Sequence, residues 1–359
     1  MTQLDLFADV DSTNEPSRPK AEAKIPATFA NPKPAATPAA PAVKPSAVPA
    51  PAATVRALRP RLPANPHERA WYLGEAVARA WHTQHGGTAI EVPIGIVAAL
   101  ALIRPKDPKG PDLAHQILAQ DDAQLIQMYR QIWAGHWIQR PDLIDRARIL
   151  HEWLNDGDHD KHRLYVTRAV TKAALRAGIF DLTGHDDPYF RAATDVLSPV
   201  MTLTRSSGAQ AGLGEFHTPW AVGETLGNIV MAEIGLAAKG DMAPGEHIHD
   251  PACGSGGLLR AAAQSMRERG IDPASMRWSG VDIDEIAAAC TAVNAIVWGL
   301  GPNVTVARAD ILTHPNAVEE AMAKARAVIE HRDTLFGRAA VIGAVRKAQH
   351  LLEQVTQAA

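Results

Sequence analysis

Two cysteines, Cys253 and Cys290, are too few for a disulfide framework and fit a reducing cytoplasm. No long apolar run is present either. The most apolar stretch, IGIVAALALI (Ile94 to Ile103), falls well short of a bilayer and reads as a buried helix, so no membrane association is expected. The start of the chain is acidic and lacks an apolar segment behind a charged one, which excludes a secretory leader from this reading. Net charge is also lacking: the formal value of −3 does not by itself call for nucleic acid. Metal-ligating clusters are missing too. His247 and His249 have no third ligand at sensible spacing and read as strand residues. NDGDHDKH (Asn155 to His162) begins like a calcium loop, but Lys161 and Thr167 stand where such a loop needs Gly and Glu, so it reads as a polar turn.

What is present is uneven. With 359 residues, 46% hydrophobic and 21% charged, the chain has the size and composition of one large or two ordinary globular domains. Yet 13 of its 26 prolines lie in the first 66 residues, interleaved with alanine, and such a segment buries too little to offset its ordering entropy. Residues 8–66 are therefore expected to be a disordered linker. Between Ser12 and Pro66 it carries eight Lys/Arg against two Glu, a local net of +6 suited to weak, salt-sensitive contact with phosphates or simply to solubility. At its tip stands QLDLF: Gln3, Leu4, Asp5, Leu6 and Phe7. Two leucines and a phenylalanine have no core to join there, so they read either as a helix start that goes nowhere or as a plug for a partner's pocket.

From His67 to about residue 200, apolar residues recur at helical spacing in HERAWYLGEAVARAWHTQ, PIGIVAALALI, the run from Asp112 to Trp137, DLIDRARILHEWLND and RLYVTRAVTKAALRAG. An all-helical domain over 67–200 is expected, with Trp71, Trp81, Trp133, Trp137 and Trp153 packed between helices. DPYF (Asp187 to Phe190) reads as a helix start.

The rhythm then changes. HIHDPACG, RWSGVDID and NVTVARAD are short β-like runs separated by helical stretches, a pattern that predicts right-handed crossovers and a parallel sheet. In DPACGSGG (Asp250 to Gly257) a strand enters a glycine-rich turn that opens a helix, as needed where a ligand approaches the main chain closely. Asp282 ends the next strand, where a carboxylate takes both hydroxyls of a ribose. Asp310 ends the third, placed to accept from an exocyclic amine. No P-loop lysine follows the glycines. A ligand with ribose and adenine but no phosphate is S-adenosylmethionine.

The series LSPVM, GLGEFHTP, DPACGSGGLL, GVDID and RAD resembles the adenine-N6 DNA methyltransferases, most closely the modification subunit of type I restriction systems. The resemblance implies a Rossmann-like S-adenosylmethionine-binding domain of α/β class over 206–359, behind a helical domain. It implies that Glu215, Phe216, His217, Thr218 and Pro219 line the methionine end of the cofactor. Asp250, Ala252, Cys253, Gly254, Ser255 and Gly256 then form the loop beneath it, Asp282 holds the ribose and Asp310 the adenine amine. Cys253, with nothing basic beside it, reads as a small packed residue.

The family's catalytic Asn-Pro-Pro-(Tyr/Phe) segment is missing, for the sequence contains no Pro-Pro dipeptide. That segment holds a flipped adenine on an aromatic ring while its amide accepts from N6. Past Asp310 the pattern is helical, with room for one short strand near Ala339–Val345. The reading is therefore of a sheet truncated after three strands, whose open edge is covered by the C-terminal helices or a partner subunit. Activity is then either lost or completed by another chain, a specificity or catalytic subunit on DNA; the alternative is a non-catalytic cofactor sensor or docking protein. In a DNA context QLDLF resembles the peptide by which bacterial replication and repair proteins bind the sliding clamp.

Overall fold

The computed structural model describes residues 62–104, 112–157, 160–206, 220–237 and 243–358. QLDLF, the Pro/Ala-rich stretch up to residue 61 and the segment Glu215–Pro219 lie outside those residues.

Helix α1 (Pro66–Thr83) opens where the Asn65 side chain accepts from the amides of His67 and Glu68, with proline in the first turn. α2 (Glu91–Ala101) is buried from Val92 to Ala101, as its unbroken apolar sequence requires. The run from Asp112 to Trp137 is two helices, not one. α3 (Leu113–Ala119) stops because Asp121 and Gln124 form a capping box that starts α4 (Asp122–Gln139) afresh. DLIDRARILHEWLND holds only a six-residue helix, α5 (Pro141–Arg146); two 3-10 turns, Arg148–Leu150 and Glu152–Asn155, complete it. α6 (Lys161–Arg176) begins at an Asp160 cap. α7 (Ile179–Thr183), α8 (Pro188–Arg191, capped by Asp187) and α9 (Leu197–Thr204) follow. Trp81, Trp133 and Trp153 are buried as expected, but Trp71 is 44% exposed, on the outer face of α1.

α10 (Trp220–Ala237) leads into the sheet. Strands β1 (His247–Asp250), β2 (Arg277–Asp282) and β3 (Val304–Arg308) are joined by α11 (Gly257–Glu268) and α12 (Glu285–Val297). All pairing is parallel in the order β1-β2-β3, with Asp250 level with Gly280, and Asp282 with Arg308. One face carries Trp278 and Gly280 toward the helices, Gly280 lying against Cys253 and Thr291. On the other, Val281 and Ala307 pack on Ala317 at the start of α13 (Ala317–Ala358). On that face β1 is polar: His247 Nε2 and His249 Nδ1 both lie 2.7 Å from the Ser279 hydroxyl.

α13 corrects the sequence reading. Ala339–Val345 is helical, within a single 42-residue helix that is about 63 Å long at 1.5 Å per residue. It packs on α5, β3 and β2. Among the described residues, β1 has a strand neighbour on one side only.

One buried apolar cluster runs from Ala70 on α1 to Val306 on β3, so the helices before residue 206 and the sheet share a core. Arg191, 2% exposed, crosses that junction. Its Nε donates to the Val297 carbonyl at 2.7 Å, at the end of α12, and its Nη1 donates to the carbonyls of His185 (2.7 Å) and Asp186. Burial and the nearby Arg104 and Arg267 lower its pKa to about 10, still a cation at neutral pH. Arg191→Ala leaves those carbonyls without a donor, at a cost of about 3 kcal/mol. Urea denaturation should show that loss, and a midpoint like that of the parent chain would refute the clamp.

Candidate cofactor site

The geometry of DPACGSGG follows from its glycines. Gly254 and Gly256 take φ of +55° and +93°, a region that side chains disfavour, and let the chain fold back from β1 into α11. The loop is pinned from beneath. The Cys253 amide donates to the Val281 carbonyl at 2.9 Å, and the Thr291 hydroxyl donates to the Gly254 carbonyl at 2.6 Å. A β-carbon built at Gly254 would meet nothing within 4 Å among the described residues.

Asp282 stands at the C-terminal end of β2 beside this loop. One carboxylate oxygen accepts from the Gly254 amide at 2.7 Å and the other from the Asp284 amide at 2.9 Å. Each oxygen keeps a second lone pair, which suits a vicinal diol. Asp310 follows the end of β3, its Oδ1 accepting from the Leu312 amide at 3.0 Å. A cleft of about 220 Å³ between β3, α5 and α13 includes Asp310 and Arg308 but not Asp282 or Gly254, so it is separate from the glycine loop.

Asp250 behaves differently. Its Oδ1 accepts from the Ala252 amide at 3.1 Å, while Oδ2 is buried without a partner among the described residues. Burial raises its pKa above the usual 3.8, with the Asp282 charge adding to the shift. A buried acceptor left open beside the glycine loop fits a cationic group. Cys253 is a buried thiol whose pKa is pushed up to about 12 by desolvation, and its sulfur lies 3.5 Å from the Thr291 hydroxyl. It is no thiolate nucleophile at neutral pH.

DPYF is placed elsewhere. Pro188 lies against Gly299, just past the end of α12, and the Tyr189 carbonyl accepts from Gln264 late in α11. These contacts are toward the C-terminal ends of the two helices whose N-terminal ends adjoin Gly254 and Asp282. Among the described residues no group of three or more His, Cys, Asp or Glu is placed to hold a metal ion, and no helix is long and apolar enough to cross a membrane.

Sequence reasoning missed the supports of the loop. Ser255 Oγ donates to Asp195 at 2.6 Å, and Asn294, 1% exposed, donates through Nδ2 to both Asp195 (3.0 Å) and the Ser255 carbonyl (2.9 Å). A lone asparagine in the apolar stretch of α12 was the available signal.

A parallel α/β sheet with a glycine loop after its first strand and an acid after its second is an arrangement that nucleoside-binding folds share. Residues 200–330 match the N-6 DNA Methylase family. The chain is also similar to a solved type I restriction-modification system methyltransferase subunit from Streptococcus thermophilus. Identity is 14% and the TM-score 0.34, over 69% of this chain and 58% of that one. The chain thus spans under two thirds of that subunit's length. No curated protein matches.

Proposed function

We propose that this chain binds S-adenosylmethionine on the 250–257 loop and serves adenine-N6 methylation of DNA, with the adenine-holding segment supplied from outside residues 1–359. The observation that carries the reading is the Asp282 carboxylate held against the amide of Gly254, where a β-carbon would meet nothing among the described residues. Asp282 takes the ribose hydroxyls and Asp310 the adenine amine. The open oxygen of Asp250 faces the positive charge of the methionine end, which Glu215–Pro219 complete. The cofactor supplies an activated methyl group. The chain's own part is to bind and orient the donor, since the sequence has no Asn-Pro-Pro-aromatic segment to hold the adenine.

The test is calorimetric titration of the full chain with S-adenosylmethionine. Asp282→Ala should weaken binding about a hundredfold, two lost charge-assisted hydrogen bonds at roughly 1.4 kcal/mol each. Unchanged affinity would remove Asp282 from the site.

Asp250 adds a pH dependence. Its carboxyl is raised by burial, so the folded chain favours the protonated form relative to the unfolded one. The cost of burying the charge is absent below 3.8 and accumulates as pH rises through the folded value; the ligand-free protein therefore loses stability over that interval. A cationic ligand favours the ionised form. Affinity should therefore fall as pH drops through the raised Asp250 pKa, and Asp250→Asn should flatten that profile. The same slope in both proteins would mean that Asp250 does not meet the ligand's charge.

A further inference from the structure

We propose that α9 is a brace for the cofactor site, with Asp195 and Arg205 at its two ends acting as positioning residues for the glycine loop and for Asp282. The inference rests on the S-adenosylmethionine reading above for its functional meaning, and on geometry for its structural one.

At the N-terminal end, Asp195 is a cap: Oδ1 accepts from the amides of Leu197 (2.9 Å) and Ser198 (3.1 Å). A cap needs only one carboxylate oxygen. The other, Oδ2, takes the hydroxyl of Ser255, the fourth residue of the ACGSG turn, at 2.6 Å. Asn294 closes the arrangement by donating to Asp195 Oδ1 and to the Ser255 backbone together. Ser255 and Asn294 are 5% and 1% exposed, so water does not substitute for these bonds.

At the C-terminal end, Arg205 Nη2 donates to Asp284 Oδ2 at 2.6 Å, and its side chain is 4% exposed. Asp284 caps α12 by accepting from the amides of Ile286 and Ala287, both at 3.2 Å. Its own amide donates to Asp282 Oδ1. Arg205 therefore neutralises a carboxylate two residues from the ribose-holding one and fixes the turn that orients it. Without the arginine, Asp284 would repel Asp282 across a partly buried site.

Eight residues of helix, about 12 Å, thus connect the loop after β1 to the turn after β2. Neither link shares local sequence: Ser255 is 60 residues from Asp195, and Asp284 is 79 from Arg205. These contacts go to the two segments assigned to the cofactor.

The experiment combines hydrogen exchange of the ligand-free chain with S-adenosylmethionine titration. Asp195→Ala should speed amide exchange in 252–256, and Arg205→Ala in 282–287, with each affinity falling about tenfold. Asp195→Asn keeps the cap and a partner for Ser255, and should recover most of both losses. Should Asp195→Ala fail to fold, Ser255→Ala removes the same link with the cap intact and should reproduce the faster exchange. Asp121→Ala, which removes the cap of α4, is the control for a merely structural effect. It should lower the melting temperature without touching loop exchange or affinity. If Asp195→Ala and Arg205→Ala lower only the melting temperature, as Asp121→Ala does, α9 is an ordinary helix and the proposal fails. If the parent chain binds no S-adenosylmethionine, the proposed function falls, while the exchange measurements still decide whether α9 braces the loop.

Discussion

Gly254→Val is expected to abolish S-adenosylmethionine binding in a chain that remains folded, whereas Gly256→Val is expected to damage both. The two glycines differ in what surrounds them. At Gly254 the φ of +55° is left-handed helical, a conformation that costs a residue with a side chain about 1–2 kcal/mol. Among the described residues nothing lies within 4 Å of a β-carbon there, so steric cost is small. The added isopropyl group instead occupies the space through which a ligand reaches the loop amides, and affinity should drop more than a hundredfold. At Gly256 a β-carbon would lie 3.1 Å from the Trp298 ring and 3.4 Å from Thr291, at a φ of +93°. A valine must push into a packed core, adding a typical overpacking cost of about 1–3 kcal/mol to the backbone strain. Thermal denaturation and calorimetry on the two variants separate these effects. A Gly254→Val chain that binds S-adenosylmethionine as before would place the cofactor elsewhere.

Much of this site could be read from sequence because its signals are local. Asp250 and Asp282 end strands and Gly254 and Gly256 lie in the turn that follows the first, and strand ends show in sequence as short apolar runs closed by an acid or glycine. The fold positions them as that pattern implies. The supports were not legible because their partners are distant in sequence: Asp195 looks like any helix cap until Ser255 is seen beside it. Two other misreadings have the same origin. The pattern left room for a short strand near Ala339–Val345, but β-propensity expresses packing against neighbouring strands, and α13 continues through these positions, with Val341 and Ile342 exposed. The apolar spacing of Asp142 to Asp156 suggested one helix. Instead the chain turns after Arg146, and buried Leu150 and Trp153 are delivered from 3-10 turns.

The remaining prediction is that residues 1–359 alone transfer no methyl group to duplex DNA while still binding the cofactor. Transfer needs the target adenine held on an aromatic ring, with an amide and a carbonyl accepting from its N6 amine beside the donor methyl. The sequence has no Pro-Pro dipeptide with which to build the family's segment. DPYF offers exposed rings in Tyr189 (39%) and Phe190 (52%), but it is anchored to Gln264 and Gly299, away from Gly254 and Asp282. Asp187 is also committed, capping α8 through the Tyr189 amide. β1, meanwhile, has no strand neighbour on its other edge among the described residues. A polypeptide that laid a parallel strand there, with Asn-Pro-Pro and an aromatic at its C-terminal end, would put the acceptor groups next to the methyl donor. With tritiated S-adenosylmethionine and DNA of mixed sequence, the chain alone should give counts at the no-enzyme background. Incorporation above background that disappears in Asp282→Ala would overturn this expectation, because the chain would then contain its own adenine-holding residues. Tyr189→Ala and Phe190→Ala would next show whether those residues belong to DPYF.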